Sequence, residues 1–285
     1  MFTLDGRAAF VKASARAAII ICCGLLCAAL AGVARSAPRK GDRRLLVVTV
    51  TKGYRHQSIA VAERVIEELG QRNGWLVDFA RTDEELRAKT TKRGLESYDA
   101  VIFANTSGVL PLADREAFLQ WIRAGHAFIG IHAASDTFRQ GTFPAYIEML
   151  GGEFDAHDAP MSVTLRVEDR SHPATRHLGT QLTVFDEIYR ICNFDRSKVH
   201  VLLALDIDPV SKVPGYFPLA WNRLYGKGRV FYTALGHHAE VIEADWFRQH
   251  LQGGIRWALG QERGASAPQW RGASALIECR GMRAQ

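Results

Sequence analysis

The chain has 285 residues, of which 47% are hydrophobic and 23% charged, with a formal net charge of +6; this composition fits an ordinary globular protein with one large domain. The first 37 positions hold Arg7, Lys12, Arg16 and Arg35 against Asp5 alone, which leaves 32 basic and 29 acidic residues in the remainder. That remainder has no Lys/Arg block and no basic stripe interleaved with aromatics, which excludes a nucleic-acid surface of the usual electrostatic kind.

At the amino terminus, Lys12 and Arg16 precede AIIICCGLLCAALAGVA and a small-residue stretch ending at Ala37. This pattern predicts a secretory signal peptide over residues 1–37. An uncleaved anchor is the alternative, because an apolar core of about 17 residues lies at the lower limit for a spanning helix. Either way the expectation is export to a periplasm or beyond, with membrane contact only through this segment. Cys22, Cys23 and Cys27 lie inside it, leaving Cys192 and Cys279. With no CxxC motif and no disulfide framework, the two are expected to stay unpaired. The Gly/Ala/Arg-rich residues 261–285 read as a disordered tail.

Between these ends the chain alternates strand and helix. LLVVTVT (45–51) is a continuous apolar run, as expected of a strand buried on both faces of a parallel sheet. Ser58 is a candidate N-cap for a helix carrying Val61, Ala62, Val65, Ile66 and Leu69 at helical spacing up to Gly70. WLVDFA (75–80), DAVIFAN (99–105) and AFIGI (127–131) are further strands, with a helix marked by Phe118, Trp121 and Ile122 before the last of them. Pro144 opens another helix that Gly151 and Gly152 close. SVTLRV (162–167) and VHVLLAL (199–205) are strand-like, residues 218–235 read as a hairpin turning at Gly226-Lys227-Gly228, and a final helix covers 246–258. The predicted fold is α/β, a doubly wound, mostly parallel sheet with an added β-hairpin, in one domain over residues 44–260.

In such a sheet, ligands bind beyond the carboxyl ends of the strands. Those ends deliver His56 and Ser58, Asn105 and Thr106, His132, and His237 with His238 from four separate loops. His126, His177, His200 and His250 lack that placement and read as structural or surface residues. GGEFDAH brings Asp155 and His157, and FDEIYR brings Asp186, Glu187 and Tyr189 near a strand end. Glycine-led GIHAASDTF (130–138) is a strand-to-helix turn with His132 where many α/β enzymes carry a nucleophile. Thiol catalysis is therefore excluded at that turn, since it needs a thiolate there.

An imidazole at such a turn can transfer protons near neutral pH or bind a divalent metal. The candidate catalytic residues are His132, Glu187, His56 and Asp186. Candidate substrate contacts are Asn105, Thr106, Asp136, Tyr189, Trp221 and His237, with Tyr54, Tyr189 and Trp221 as stacking surfaces for a sugar. Candidate ligands for a divalent metal such as zinc are His132, His157 and His237, although no HxH or HExxH spacing marks them. Asp136 and Glu187 are also candidates for the paired carboxylates of a glycosidase, a mechanism that their separation decides.

GYRHQS, NTSG, GIHAASDT, GGEFDAH, VEDRSHPAT, DEIYR, HVLLALD and PLAWNRLYGKGRVFYTALGH, in this order and spacing, resemble the ThuA-like family, named for trehalose utilisation. The resemblance implies a class I glutamine-amidotransferase-like, flavodoxin-related fold in which His132 takes the place of the amidotransferase Cys. It also implies a small carbohydrate ligand, a (keto-)disaccharide or glycoside, acted on by a hydrolase or lyase. A non-catalytic sugar-binding or accessory module is the alternative, and the reading leaves room for a homo-oligomer.

Overall fold

The computed structural model describes residues 42–270 and 276–280. The leader predicted over residues 1–37 lies outside them. Strand β1 (Arg43–Val48), helix α1 (Ile59–Asn73), β2 (Trp75–Ala80), α2 (Asp83–Lys89), α3 (Lys92–Leu95), β3 (Ala100–Ala104), α4 (Arg115–Arg123) and β4 (Ala127–Ile131) form the first half. A 3-10 turn (His132–Asp136) and α5 (Pro144–Leu150) lead into β5 (Glu153–His157), β6 (Met161–Val167), β7 (Gln181–Asp186), β8 (Tyr189–Cys192) and β9 (Phe194–Asp195). Then follow β10 (His200–Ile207), β11 (Pro214–Tyr225), β12 (Gly228–Thr233), α6 (Ala239–Glu243), α7 (Asp245–Ala258) and β13 (Leu276–Ile277).

Nine strands make one sheet in the order β2-β1-β3-β4-β12-β11-β10-β6-β7. The first five run parallel and reproduce a flavodoxin-like order, and the other four are added antiparallel. The chain leaves β1 to one side for β2 and crosses to the other side for β3, so β1 and β3 flank the switch point where such sheets bind ligands. Right-handed crossovers of opposite direction put α1 and α4 on opposite faces. This covering explains why β3 and β4 are buried along their whole length.

The local signals act as the sequence suggests at several places. Pro144 stands in the first turn of α5, and Gly151 ends it in the left-handed region at φ 95°. Ser58 occupies the N-cap position of α1 but makes no capping bond, because its hydroxyl serves the site across the sheet edge. The short helices α2 and α3 carry no marked pattern in the sequence. They are held by side-chain caps from Thr82 and Thr91 rather than by a long apolar stripe.

The carboxy-terminal region differs from the predicted disordered tail. Residues 276–277 pair with β9, Cys279 is disulfide-bonded to Cys192, and Arg280 reaches Asp208 at 2.7 Å. The expectation of unpaired cysteines is thereby corrected: an 87-residue separation hides a contact that only the return of the chain to β8 creates. Among the described residues no helix is long and apolar enough to cross a membrane.

Candidate functional site

His132 leaves β4 with φ 47°, in the left-handed region that non-glycine residues seldom adopt. Holding it there costs on the order of 1–3 kcal/mol, and the surroundings supply the constraint. The Tyr232 hydroxyl lies 2.8 Å from the His132 carbonyl and 2.7 Å from Ser135 Oγ, while the Tyr146 hydroxyl donates to the Ala134 carbonyl at 2.8 Å. Gly130 makes room for the turn, since a Cβ there would stand 2.9 Å from the Tyr232 ring and 3.1 Å from Ala134 Cβ. Both tyrosines are fully buried, and burial holds their hydroxyls protonated far above the usual range.

The His132 ring is oriented by the backbone. Its Nδ1 stands 2.7 Å from the Ala234 carbonyl, which can only accept, so the proton sits on Nδ1 and Nε2 presents a lone pair. That Nε2 faces Glu187 Oε2 at 3.5 Å and His237 Nδ1 at 3.3 Å, and His237 Nδ1 lies 3.1 Å from the same carboxylate oxygen. His157 Nδ1 lies 3.3 Å from the other oxygen, Oε1, while its hydrogen bond goes to the Asp158 carbonyl at 3.0 Å. The His56 ring stands edge-on to His132 and His237, with centroids 4.8 and 5.1 Å away, and its Nδ1 is buried without a hydrogen-bond partner. Tyr189 is buried with its ring stacked on His132 at 4.1 Å.

Electrostatics follow from this packing. Burial, with His132 and His237 adding to it, drops His56 to about 3. Burial pushes Glu187 up, but the close imidazoles of His132 and His237 outweigh it and hold the carboxyl well below the ordinary range. The bond to Glu187 raises His237. Asp136 is raised by burial, an effect that Arg139, 2.7 Å away, opposes.

Of the residues singled out from the sequence, His56, His132, Glu187 and His237 converge, with ligand atoms all within 4.8 Å of one another. His132 and His56 are buried, whereas His157 and Tyr54 are exposed at the outer side of the group. Asn105 and Thr106 are buried beneath it. Asn105 donates to Ser58 Oγ and to the Gly236 carbonyl, both at 3.0 Å, and Thr106 pairs with Thr137. Their bonds tie the loops of the sheet edge together, and Asn105 Oδ1 is buried without a hydrogen-bond partner.

Three further expectations are corrected. Asp186 is fully buried and accepts from the Gly236 and His238 amides, at 2.7 and 3.1 Å, so it clamps the loop carrying His237 and is not a proton carrier. Gly236 itself needs φ 110°, which suits a residue without Cβ. Trp221 is a core residue and no sugar platform: it is fully buried and its indole donates to the Leu150 carbonyl at 2.8 Å. His157 lies outside the group whose ligand atoms converge, and its Nδ1 is hydrogen-bonded to the Asp158 carbonyl. Sequence reasoning missed Tyr232 and the Ala234 carbonyl. The first sits in a strand buried on both faces, where alternation carries no signal, and the second is a backbone group.

Residues 44–258 match the family ThuA, described as trehalose utilisation. No curated protein matches the chain. Among solved structures, a ThuA-like protein from Bacteroides uniformis shares 23% identity at a TM-score of 0.63, covering 81% of this chain and 97% of its own. One from Parabacteroides merdae shares 18% identity at 0.62, covering 84% and 98%. A cytoplasmic protein from Salmonella typhimurium shares 13% at 0.56, covering 76% and 99%. At these identities the likeness is one of fold.

Proposed function

The chain belongs to the ThuA family, and from that premise we propose that it acts on a carbohydrate at the carboxyl edge of its sheet, as a hydrolase or lyase of an oxidised disaccharide or glycoside. The observation that carries this reading is the meeting of His56, His132, Glu187 and His237, from four separate loops, with His157 and Tyr54 exposed at their outer side. A binding module has no need of a strained turn that aims a fully buried imidazole at an ionised carboxylate.

In this reading the cluster would act through a divalent cation held by its ligand atoms, which would steady negative charge as it develops on a substrate oxygen. The groups beside it move protons. His157 has solvent access, and Asp136, raised by burial, keeps a proton nearer to neutral pH than an ordinary carboxyl. Glu187 differs from both. Faced by three imidazoles, it anchors the cluster and is not free to serve as the second carboxylate of a glycosidase pair. A ring carbonyl in the substrate would acidify its neighbouring C–H. Loss of that proton and of the glycosidic oxygen, which takes a proton as it leaves, balances the elimination.

Export belongs to the same reading. The Cys192–Cys279 bond is of the kind that persists in oxidising compartments, and the charge and apolar pattern of residues 1–37 agrees with it.

The test is turnover by the purified chain, with divalent metal added, on native and keto-disaccharides. His132→Ala and Glu187→Gln should each abolish product release while circular dichroism stays unchanged. Saturable sugar binding without turnover in the wild type would instead make the chain a sugar-binding module.

A further inference from the structure

The three atoms His132 Nε2, His237 Nδ1 and Glu187 Oε2 form a triangle with sides of 3.1, 3.3 and 3.5 Å. Ligand atoms about 2.0–2.1 Å from a zinc ion in tetrahedral geometry stand about 3.3 Å apart along each edge. The triangle therefore has the dimensions of one face of a zinc coordination shell, before any side chain moves.

Two features argue that this spacing is not incidental. His132 gives its Nδ1 proton to the Ala234 carbonyl, the arrangement by which metal-ligating histidines are usually fixed in tautomer and direction. Glu187 presents Oε2 alone to the triangle, with Oε1 turned toward His157, whose Nδ1 stands 3.3 Å from it. Protons alone serve the cluster incompletely. A hydrogen on His237 Nδ1 can satisfy the two acceptors facing it, yet His56 Nδ1 stays buried with no partner.

Resting on the placement of the site proposed above, we propose that His132, His237 and Glu187 bind one divalent cation of the zinc class. His56 stands beside the open fourth position, its ligand atom within 4.8 Å of the other three. Three protein ligands with one position open is the pattern of a catalytic rather than a structural zinc site. When bound, the cation would supply Lewis-acid polarisation of a substrate oxygen or of a water. The ligand set differs from the one suggested by the sequence, in which His157 took the place of Glu187. His157 stands beside the carboxylate's other oxygen, 3.3 Å away.

The experiment uses the full chain purified without a polyhistidine tag, stripped with chelator, and titrated separately with Zn2+, Co2+ and Mn2+. The expected result is one cation per chain, with visible Co2+ bands of a four- or five-coordinate centre. His132→Ala, His237→Ala and Glu187→Gln should each weaken affinity by more than 100-fold, whereas His157→Ala should retain one cation with affinity lowered about 10-fold. Should a variant fail to fold, the Co2+ spectrum of the wild type decides alone, since His and Glu ligation gives it no thiolate charge-transfer band. Substoichiometric metal after titration, or equal binding by wild type and the ligand variants, overturns the site. A cation bound without any sugar turnover removes the proposed function and leaves the metal centre. Full turnover after chelation does the reverse.

Discussion

The described residues hold two groups of three histidines, one wholly buried and one buried except for partly exposed His237, and they differ in where their ring nitrogens point. In the loop packed on α7, His172 Nδ1 accepts from the Ala174 amide at 3.1 Å, and its Nε2 lies 3.1 Å from the Asn222 amide group. His200 sits between the Ala267 carbonyl and Asp169, and His250 donates from Nδ1 to the Ala174 carbonyl. Each ring there ties one stretch of backbone to another. At the carboxyl edge, His132 has one such tie, and the remaining nitrogens of His132 and His237 face each other and Glu187. Burial alone does not separate structure from chemistry, since His250 Nε2 and His56 Nδ1 are both buried without a partner; the convergence of several ring nitrogens on one carboxylate does.

Four substitutions or conditions press on this contrast. His132→Ala should lower turnover by about 10³-fold, the scale of losing a central electrostatic group, beyond the roughly 1–3 kcal/mol that the unmatched Ala234 carbonyl costs in stability. His172→Ala should act on stability alone. Losing two buried hydrogen bonds and leaving their partners unmatched costs roughly 2–4 kcal/mol, measured by denaturant unfolding, while turnover per folded molecule is retained. If the two variants behave alike, the contrast fails.

Acid should separate the groups next. Burial lowers His172 to about 3 and His250 to about 4. Their neutral forms are favoured in the folded chain, so the stability they contribute is present above about pH 6.5 and is lost as pH falls toward 4, where the unfolded chain takes up protons first. His237, raised by Glu187, has the reverse sign: its contribution is held below its ordinary pKa and lost as pH rises through the raised value. Melting curves from pH 8 to 4.5 should therefore fall on the acid side, and His250→Phe should flatten that fall while His237→Ala leaves it in place. Tyr232→Phe is the mildest probe. It removes the hydroxyl beside the His132 carbonyl and should cost about 1 kcal/mol, with turnover down only a few-fold.

The edge of the sheet is readable in the sequence because runs such as AFIGI end abruptly at His132 and DAVIFAN at Asn105, so apolar strands mark their own carboxyl ends. His56 and His237 are placed by the same logic. What fails has a common physical cause. Trp221 and Asp186 have side chains that suit a ligand or a core equally, and only their partners, the Leu150 carbonyl and the Gly236 and His238 amides, decide between them. The antiparallel pairing of β5 with β8, which brings His157 opposite Tyr189, joins short segments that lack a clean alternation. The Cys192–Cys279 contact depends on the path of everything between them.

That bond also draws a covalent ring around residues 192 to 279, with a separation of 87 residues. The ring contains β10, β11, β12 and α7, and with them His237. His56, His132 and Glu187 all belong to the chain before it begins. The candidate site is thus a seam, stitched between a closed loop of chain and the open segment that precedes it, and its assembly reports whether the two have found each other.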